Sequence, residues 1–332
     1  MNWESLDWEA LDRLRETFLS GDKTQGPYWH TITDLECYDF TYGERIGWKW
    51  DAALAELKLR GWAPPAGGLV LDWGCGSGIA GRRVVDFFGA AHFAGLVLHD
   101  HSTLAVDFAE FRAKKLFPPL PVDRASVRFL REATPIGLLV VSHVVNELTD
   151  EARAELTELC ARAQAIIWVE PGTHEVSRAL GGWREKLRER FALVAPCPHS
   201  AACGVLAPGN ERHWCHFFAT PPPGVYADSG WVRFGQRAGI DLRSLPYAFV
   251  ALDRRATPSE ALAKEGLSRI IGEPRLYKGY AKIFNCDAGG VAELTLQKRD
   301  APELLKSFKH GVGPELHRWT HENGRITKVE SV

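Results

Sequence analysis

The spacing of apolar residues changes along this chain, and the changes mark its parts. In residues 1–64 it is helical: Trp3, Leu6, Trp8, Leu11 and Leu14 share a face, and Trp48 to Leu59 form a second amphipathic segment. Tyr28, Trp29 and Tyr38 to Tyr42 add aromatic residues between them, which suits packing against a following domain. Ala63-Pro-Pro-Ala-Gly-Gly68 reads as a hinge. Beyond it, short β-type runs alternate with helical ones. Leu69–Leu71, His92–Leu98, a short Val127–Leu130, Ile136–Ser142 and Ala165–Val169 are predicted as strands. Ile79–Phe88, Thr103–Lys115 and Asp150–Arg162 are predicted as helices, with Asp150 as an N-cap. Such alternation predicts an α/β fold with a parallel, Rossmann-like sheet, and ligands at the carboxyl ends of its strands.

One stretch bears on what that ligand is. In Leu71-Asp-Trp-Gly-Cys-Gly-Ser-Gly-Ile-Ala-Gly81 a strand runs through alternate glycines into a helix. Glycines let a ligand approach the backbone, and the helix start offers free N–H groups. The spacing Gly76-x-Gly78-x-x-Gly81 also fits a dinucleotide turn. Asp72 favours a different ligand, because a carboxylate two residues before the first glycine would repel a pyrophosphate. The stretch resembles motif I of class I S-adenosylmethionine (SAM) methyltransferases, where an acid faces the cationic methionine end. Asp72, Gly74, Cys75, Gly76 and Gly78 are therefore candidate cofactor-binding residues. Asp100 joins them at the end of the second strand, where Rossmann-type folds place an acid on the ribose hydroxyls. Ser142 joins them at the end of the fourth.

Candidate chemistry beyond the cofactor is weakly marked. Ser142, His143, Asn146 and Glu147 lie at the end of the fourth strand, and Glu170 ends the fifth; they could line up a methyl acceptor, while Asn146 and Glu147 could equally cap the next helix. Neither an Asn/Asp-Pro-Pro-Tyr element nor a cysteine pair suited to base C5 methylation is present.

The cysteines are more distinctive. A helix predicted over Val176–Arg190 leads into a loop-rich region holding Cys197, Cys203 and Cys215, and Cys286 lies at a strand end before a hairpin turn. Loops rich in proline and glycine can bring several thiols together. Four thiolates suit a tetrahedral zinc site or an iron–sulfur cluster. The lack of paired C-x2-C spacing leans toward the cluster, and His199, His213 and His216 keep zinc open. Cys37, Cys75 and Cys160 read as small packed residues.

Composition narrows the setting. The chain has 332 residues, 45% hydrophobic and 25% charged, with a formal net charge of −2. Any nucleic-acid contact must then come from a local patch. The first residues read as neither signal nor transit peptide, and no apolar run reaches membrane-spanning length, so a cytoplasmic protein without membrane association is expected. Nothing calls for a dimer, and a monomer is expected. Three regions are expected: 1–64 helical, 65–195 the SAM-binding core, and 196–332 the cysteine loop with a β-rich basic extension.

Six elements in order carry a resemblance. They are the glycine stretch, Ser142-His-Val-Val-Asn-Glu-Leu148, Val169-Glu-Pro-Gly-Thr173, Ala195-Pro-Cys-Pro-His199, Trp214-Cys-His-Phe217 and Gln297-Lys-Arg-Asp300. Over roughly residues 45–315 the chain resembles the methyltransferase-like assembly proteins of the small ribosomal subunit, found in mitochondria and bacteria. The resemblance implies a class I methyltransferase fold binding SAM through Asp72, Gly74, Gly76 and Asp100. It also implies a [4Fe–4S] cluster on Cys197, Cys203, Cys215 and Cys286, and association with small-subunit rRNA during late assembly. The Cys203–Cys215 spacing is longer than in the mitochondrial members. Two strands predicted over Leu276–Asn285 and Val291–Lys298 carry or adjoin Arg275, Lys278, Lys282, Lys298 and Arg299, with Lys306, Lys309 and Arg318 beyond. From Arg254 onward there are 14 Lys and Arg against 10 Asp and Glu, a surplus that suits phosphate contacts. The readings carried forward are a SAM-binding, cluster-containing assembly factor, an active rRNA methyltransferase, and a small-molecule methyltransferase with a structural zinc.

Overall fold

The computed structural model describes residues 1–20, 29–255, 266–309 and 316–330; Tyr28 lies outside them. The chain forms two compact units: Met1–Ala55, Ala63–Val169 and Ala219–Leu245 make the first, and Glu56–Trp62, Glu170–Phe218 and Pro246–Val332 the second. Among the described residues no helix is long and apolar enough to cross a membrane.

The first unit begins with helices α1 (Trp8–Ser20), α2 (Ile32–Tyr38) and α3 (Glu44–Leu59), the last two joined by one π-helical turn, Asp39–Gly43. Thr31 starts α2 with a capping box closed by Asp34. The aromatic residues here pack inward, as their spacing predicts. Leu14, Trp29 and Leu35 share a cluster with Ala105 and Phe108, and Trp3 meets Trp231 edge-on at 5.1 Å.

Strands β1 (Leu69–Trp73), β2 (Gly95–His99), β3 (Val122–Arg124), β4 (Ile136–Ser142) and β5 (Ala163–Pro171) form a parallel sheet ordered β3-β2-β1-β4-β5. Four of the five residues of β1 are buried, as a central parallel strand requires. It pairs Leu71 with Val97 on one side and with Leu139 on the other. Helices α4 (Ile79–Phe88), α5 (Thr103–Leu116), α6 (Val127–Arg131) and α7 (Asp150–Arg162) complete the alternation.

Three expectations are corrected. Val127–Leu130 is helical, because Ser126 accepts the Phe129 N–H and starts α6; the third strand is Val122–Arg124, whose single buried residue gives it no apolar run. Helix α7 is capped by Thr149, whose hydroxyl accepts the Ala152 N–H, so Asp150 is its first residue and the exposed Asn146 and Glu147 do not cap it. The second strand starts at Gly95, after a 3-10 turn over Ala90–His92.

In the second unit helix α8 (His174–Leu187) precedes β6 (Ala192–Ala195), which pairs antiparallel with β8 (Pro246–Asp253); β7 (Phe217–Phe218) also pairs with β8. The expected C-terminal hairpin is part of a larger structure. Its first predicted strand divides into β10 (Arg275–Tyr277) and β11 (Tyr280–Asp287), followed by β12 (Gly290–Gln297), β13 (Leu316–Glu322) and β14 (Arg325–Glu330). Because β9 (Leu267–Ile270) pairs with both β13 and β11, five strands close into a ring, with β10 outside it. Ala281, Ile283, Leu294, Leu296, Leu305, Trp319 and Ile326 fill its core.

Candidate functional site

In the first unit the strand order reverses beside β1, with β2 on one side and β4 on the other, and ligands of open α/β sheets bind at such a point. The three glycines after β1 serve different ends. All have positive φ, +69° at Gly74, +51° at Gly76 and +77° at Gly78. A Cβ on Gly74 would stand 2.7 Å from Val144, and one on Gly78 would stand 2.7 Å from Ala109. A Cβ on Gly76 would meet nothing within 4 Å. Gly74 and Gly78 thus permit close packing, and Gly76 borders open space.

The two acids take distinct positions. Asp100 accepts the Gly76 N–H through Oδ2 at 2.8 Å and the Ser102 N–H through Oδ1 at 2.9 Å. A carboxylate has about four acceptor positions; with His101 Nδ1 also 3.3 Å from Oδ1, at least one position, on Oδ2, remains for a ribose hydroxyl. Asp72 is fully buried, and its Oδ2 accepts the Gly81 N–H at 2.9 Å. It therefore ties down the first turn of α4, and Gly81 is glycine because a Cβ would lie 2.7 Å from that oxygen. Asp72 Oδ1 is buried without a hydrogen-bond partner. Burial raises the Asp72 carboxyl to about 7, against the pull of the Gly81 N–H and Arg82. Cys75 is buried and contributes its N–H to His99 O at 2.9 Å. Open space at Gly76, a spare acceptor position on Asp100 and the orphaned Asp72 oxygen fit a cofactor with a ribose and a charged end.

Ser142 ends β4 and lies in a polar cluster. Its Oγ receives the Trp50 indole N–H at 2.9 Å and stands 3.2 Å from His143 Nδ1, while His143 Nε2 is 3.4 Å from Lys49 Nζ. His143 has a φ of +57°, and burial together with Lys49 and Arg45 lowers its pKa well below the usual value, leaving a neutral ring. Lys49 and Trp50 went unnoticed in the sequence; a lysine between two tryptophans on an amphipathic helix is their only signal. Asn146 and Glu147 are exposed, and Glu170 is buried in β5. A cavity of about 670 Å³ in this unit, bordered by Asp39, Trp48, Arg82, Arg112 and Trp231, holds none of the predicted site residues.

The second unit gathers the four predicted cysteines. Cys286 on β11 shares a packed cluster with Val205, Ile271, Cys203 and Cys215. Burial raises the Cys215 thiol far above its usual pKa, and Cys197, Cys286 and Cys203 add to the shift. Burial, with Cys197 and Cys203, likewise raises Cys286. Cys215 and Cys286 resist becoming a further negative charge in one small region, and a cation there would reverse that. Two glycines bring the Cys203 loop onto the Cys286 hairpin, since a Cβ on Gly204 would meet Gly290 Cα at 2.8 Å. Among the described residues, no three Cys, His, Asp or Glu side chains stand close enough to hold a metal ion.

A buried ion network holds the framework. Glu56 receives Arg269 on both oxygens, at 2.6 and 2.7 Å, and Arg60 on Oε1 at 2.6 Å. Arg60 in turn donates to the carbonyls of Val194, Pro196 and Cys197, and Arg269 faces Cys286 across the β9–β11 ladder. One glutamate thus links the Cys197 loop to the Cys286 strand. His199 Nε2 lies 3.5 Å from Cys286 Sγ, whereas the His213 ring stacks on Phe284 and the His216 ring on Trp214.

The basic surplus is partly neutralised. Arg275 and Lys282 both pair with Glu293, Arg325 with Asp300, and Lys328 with Glu330. Lys298 and Arg299 border a shallow groove with Gly279, Gln297 and Pro302. Tyr277 on exposed β10 stacks on Tyr280 with centroids 4.8 Å apart.

A parallel β3-β2-β1-β4-β5 sheet, a glycine turn after β1 and an acid after β2 define the class I SAM methyltransferase fold, here with a β-rich C-terminal extension. Residues 58–312 match the family described as mitochondrial small ribosomal subunit Rsm22, and the chain belongs to that family. Among solved structures, it is similar to magnesium protoporphyrin IX methyltransferase from Synechocystis with bound SAM, at 14% identity and a TM-score of 0.37 over 75% of this chain and 98% of that one. An rRNA methylase from Escherichia coli is similar at 16% identity and a TM-score of 0.35, over 57% of this chain and 72% of that one. Comparison with individual curated proteins gives no match.

Proposed function

We propose that the chain is a SAM-binding factor of the small ribosomal subunit, with the cofactor at the β1 turn and a [4Fe–4S] cluster on Cys197, Cys203, Cys215 and Cys286. The observation that carries this reading is the family match over residues 58–312, which takes in both the glycine turn and all four cysteines. Bound SAM supplies an electrophilic methyl group. The chain's own part is to leave room for the cofactor at Gly76, hold the ribose with Asp100, and keep Asp72 beneath the turn. In the second unit the four thiols would ligate iron and tie the Cys197–Cys215 loops to the β11–β12 hairpin, which is a structural task. Lys278, Lys298 and Arg299 would meet phosphates while Tyr277 offers a base a face to stack on; small five-stranded barrels are among the folds that carry oligonucleotides.

A second reading, transfer of the methyl group to rRNA, is favoured by the Ser142–His143–Lys49 cluster beside the cofactor crevice. Anaerobically purified protein tests the metal site. Equal iron and acid-labile sulfide, lost in Cys197→Ala, Cys203→Ala and Cys215→Ala, is expected. Retained iron in all three would remove the assignment, and zinc without sulfide would give the site to zinc, with His199 as the nearest imidazole to Cys286. Cosedimentation with the small subunit is expected, and its absence removes the ribosomal reading. Methylation maps of small-subunit rRNA with and without the protein then separate the two readings, since one missing methyl group, restored by wild type, makes it an enzyme.

A further inference from the structure

The hydrogen bonds around Ser142 leave its hydroxyl proton one place to go. An ammonium group has donors only, so Lys49 Nζ, 3.4 Å from His143 Nε2, makes that nitrogen an acceptor. The ring proton of neutral His143 then sits on Nδ1 and is donated to Ser142 Oγ, 3.2 Å away. The Trp50 indole, also a donor only, gives a second proton to the same oxygen at 2.9 Å. Both acceptor positions of Ser142 are filled. Its own O–H must point to another group.

The sheet says which group that is. Ser142 ends β4 and Asp100 follows β2, with β1 and its glycine turn between them. Neighbouring strands are about 4.8 Å apart, so the two residues flank the turn at roughly 10 Å. With its ribose on Asp100, a cofactor that used the open space at Gly76 would have its amino-acid end toward β4. Val144, packed against Gly74, holds the β4 loop onto the turn there. Of the charged groups at that end, only a carboxylate accepts a hydrogen bond, and the positive Lys49 behind His143 favours it.

We propose that Ser142 is a fixed donor to the carboxylate of the cofactor's amino-acid end, with Trp50, His143 and Lys49 as the positioning residues that make it one. This rests on the SAM reading above. It makes Ser142 a specificity residue that distinguishes complete SAM-type ligands from adenosine thioethers lacking the amino-acid tail.

Calorimetric titration of the full chain with S-adenosylhomocysteine and with 5′-methylthioadenosine tests this. Ser142→Ala is expected to weaken S-adenosylhomocysteine about 10- to 100-fold, as for loss of a hydrogen bond to a charged group, and to leave 5′-methylthioadenosine unchanged. Unchanged thioether binding also reports an intact fold. Ser142→Thr, which keeps the hydroxyl, restores the affinity, and Lys49→Met reproduces the selective loss. Wild-type affinity in Ser142→Ala, or equal loss of both ligands, overturns the inference while leaving SAM binding standing. A wild-type chain that binds neither ligand overturns the SAM reading and this inference together. Nitrogen-15 spectra of the histidines give an independent check: a proton on Nε2 of His143 would mean that Ser142 donates to Nδ1, and the proposal falls.

Discussion

Replacing Gly76 and Gly78 separately by alanine distinguishes a glycine kept for a ligand from one kept for packing. Both have left-handed backbones, at φ +51° and +77°, which cost an L-residue about 1–2 kcal/mol. At Gly76 that is the whole cost, because the new methyl meets nothing within 4 Å. At Gly78 the methyl would lie 2.7 Å from Ala109 Cβ and 3.3 Å from its Cα, contacts that only a shift of α5 against α4 can relieve. Overpacking of this kind adds about 1–3 kcal/mol. At about 2–4 °C per kcal/mol, Gly76→Ala should lower the unfolding temperature by a few degrees and Gly78→Ala by about twice that or more. Binding should show the reverse contrast per degree lost. The Gly76 methyl occupies the face that the cofactor approaches, so Gly76→Ala should lose S-adenosylhomocysteine affinity by about 100-fold, the effect of one misplaced group in a tight site. Differential scanning fluorimetry and calorimetric titration on the same preparations give both numbers. Wild-type affinity in Gly76→Ala, or equal destabilisation by the two changes, would refute the division of roles.

Elements with a local signature were legible from the sequence. Leu69–Trp73 and Ile136–Ser142 are continuous apolar runs because parallel strands are covered on both faces, and the glycine turn declared itself by spacing alone. Strand Val122–Arg124 had no such run, since an edge strand with one buried residue looks like a loop. Closure of the C-terminal ring depends on Leu267–Ile270 pairing with two strands distant in sequence, which no window of residues can reveal. Charge counting could not show pairing for the same reason. Arg275 and Lys282 look free along the chain, yet both reach Glu293 from other strands. The cysteines were found by residue type, but Glu56, which joins their loops, reads as one more exposed position on an amphipathic helix. Lys49 was hidden in the same way.

Two further predictions concern buried carboxylates. Glu56→Ala removes the counter-ion of two buried arginines and should cost about 3–5 kcal/mol, read from urea midpoints, with iron lost alongside; a cost under about 1 kcal/mol would show that the network does not hold the cysteine loops. Asp72→Asn should instead change how stability depends on pH. Burial raises Asp72 from 3.8 to about 7 in the folded chain. Between those values the folded state keeps a proton that the unfolded state has released, so the Asp72 contribution falls as pH rises from about 4 to 7 and is level above. Three pKa units correspond to about 4 kcal/mol. Asparagine keeps an acceptor for the Gly81 N–H and carries no charge at any of these pH values. The difference between variant and wild type should therefore move in the variant's favour across that window, by up to that amount, while every other titrating group cancels. Urea midpoints at pH 4.5, 6 and 8 measure it. A constant difference would mean that Asp72 is ionised throughout, held by Gly81 and Arg82 despite its burial, and ready to face a cation.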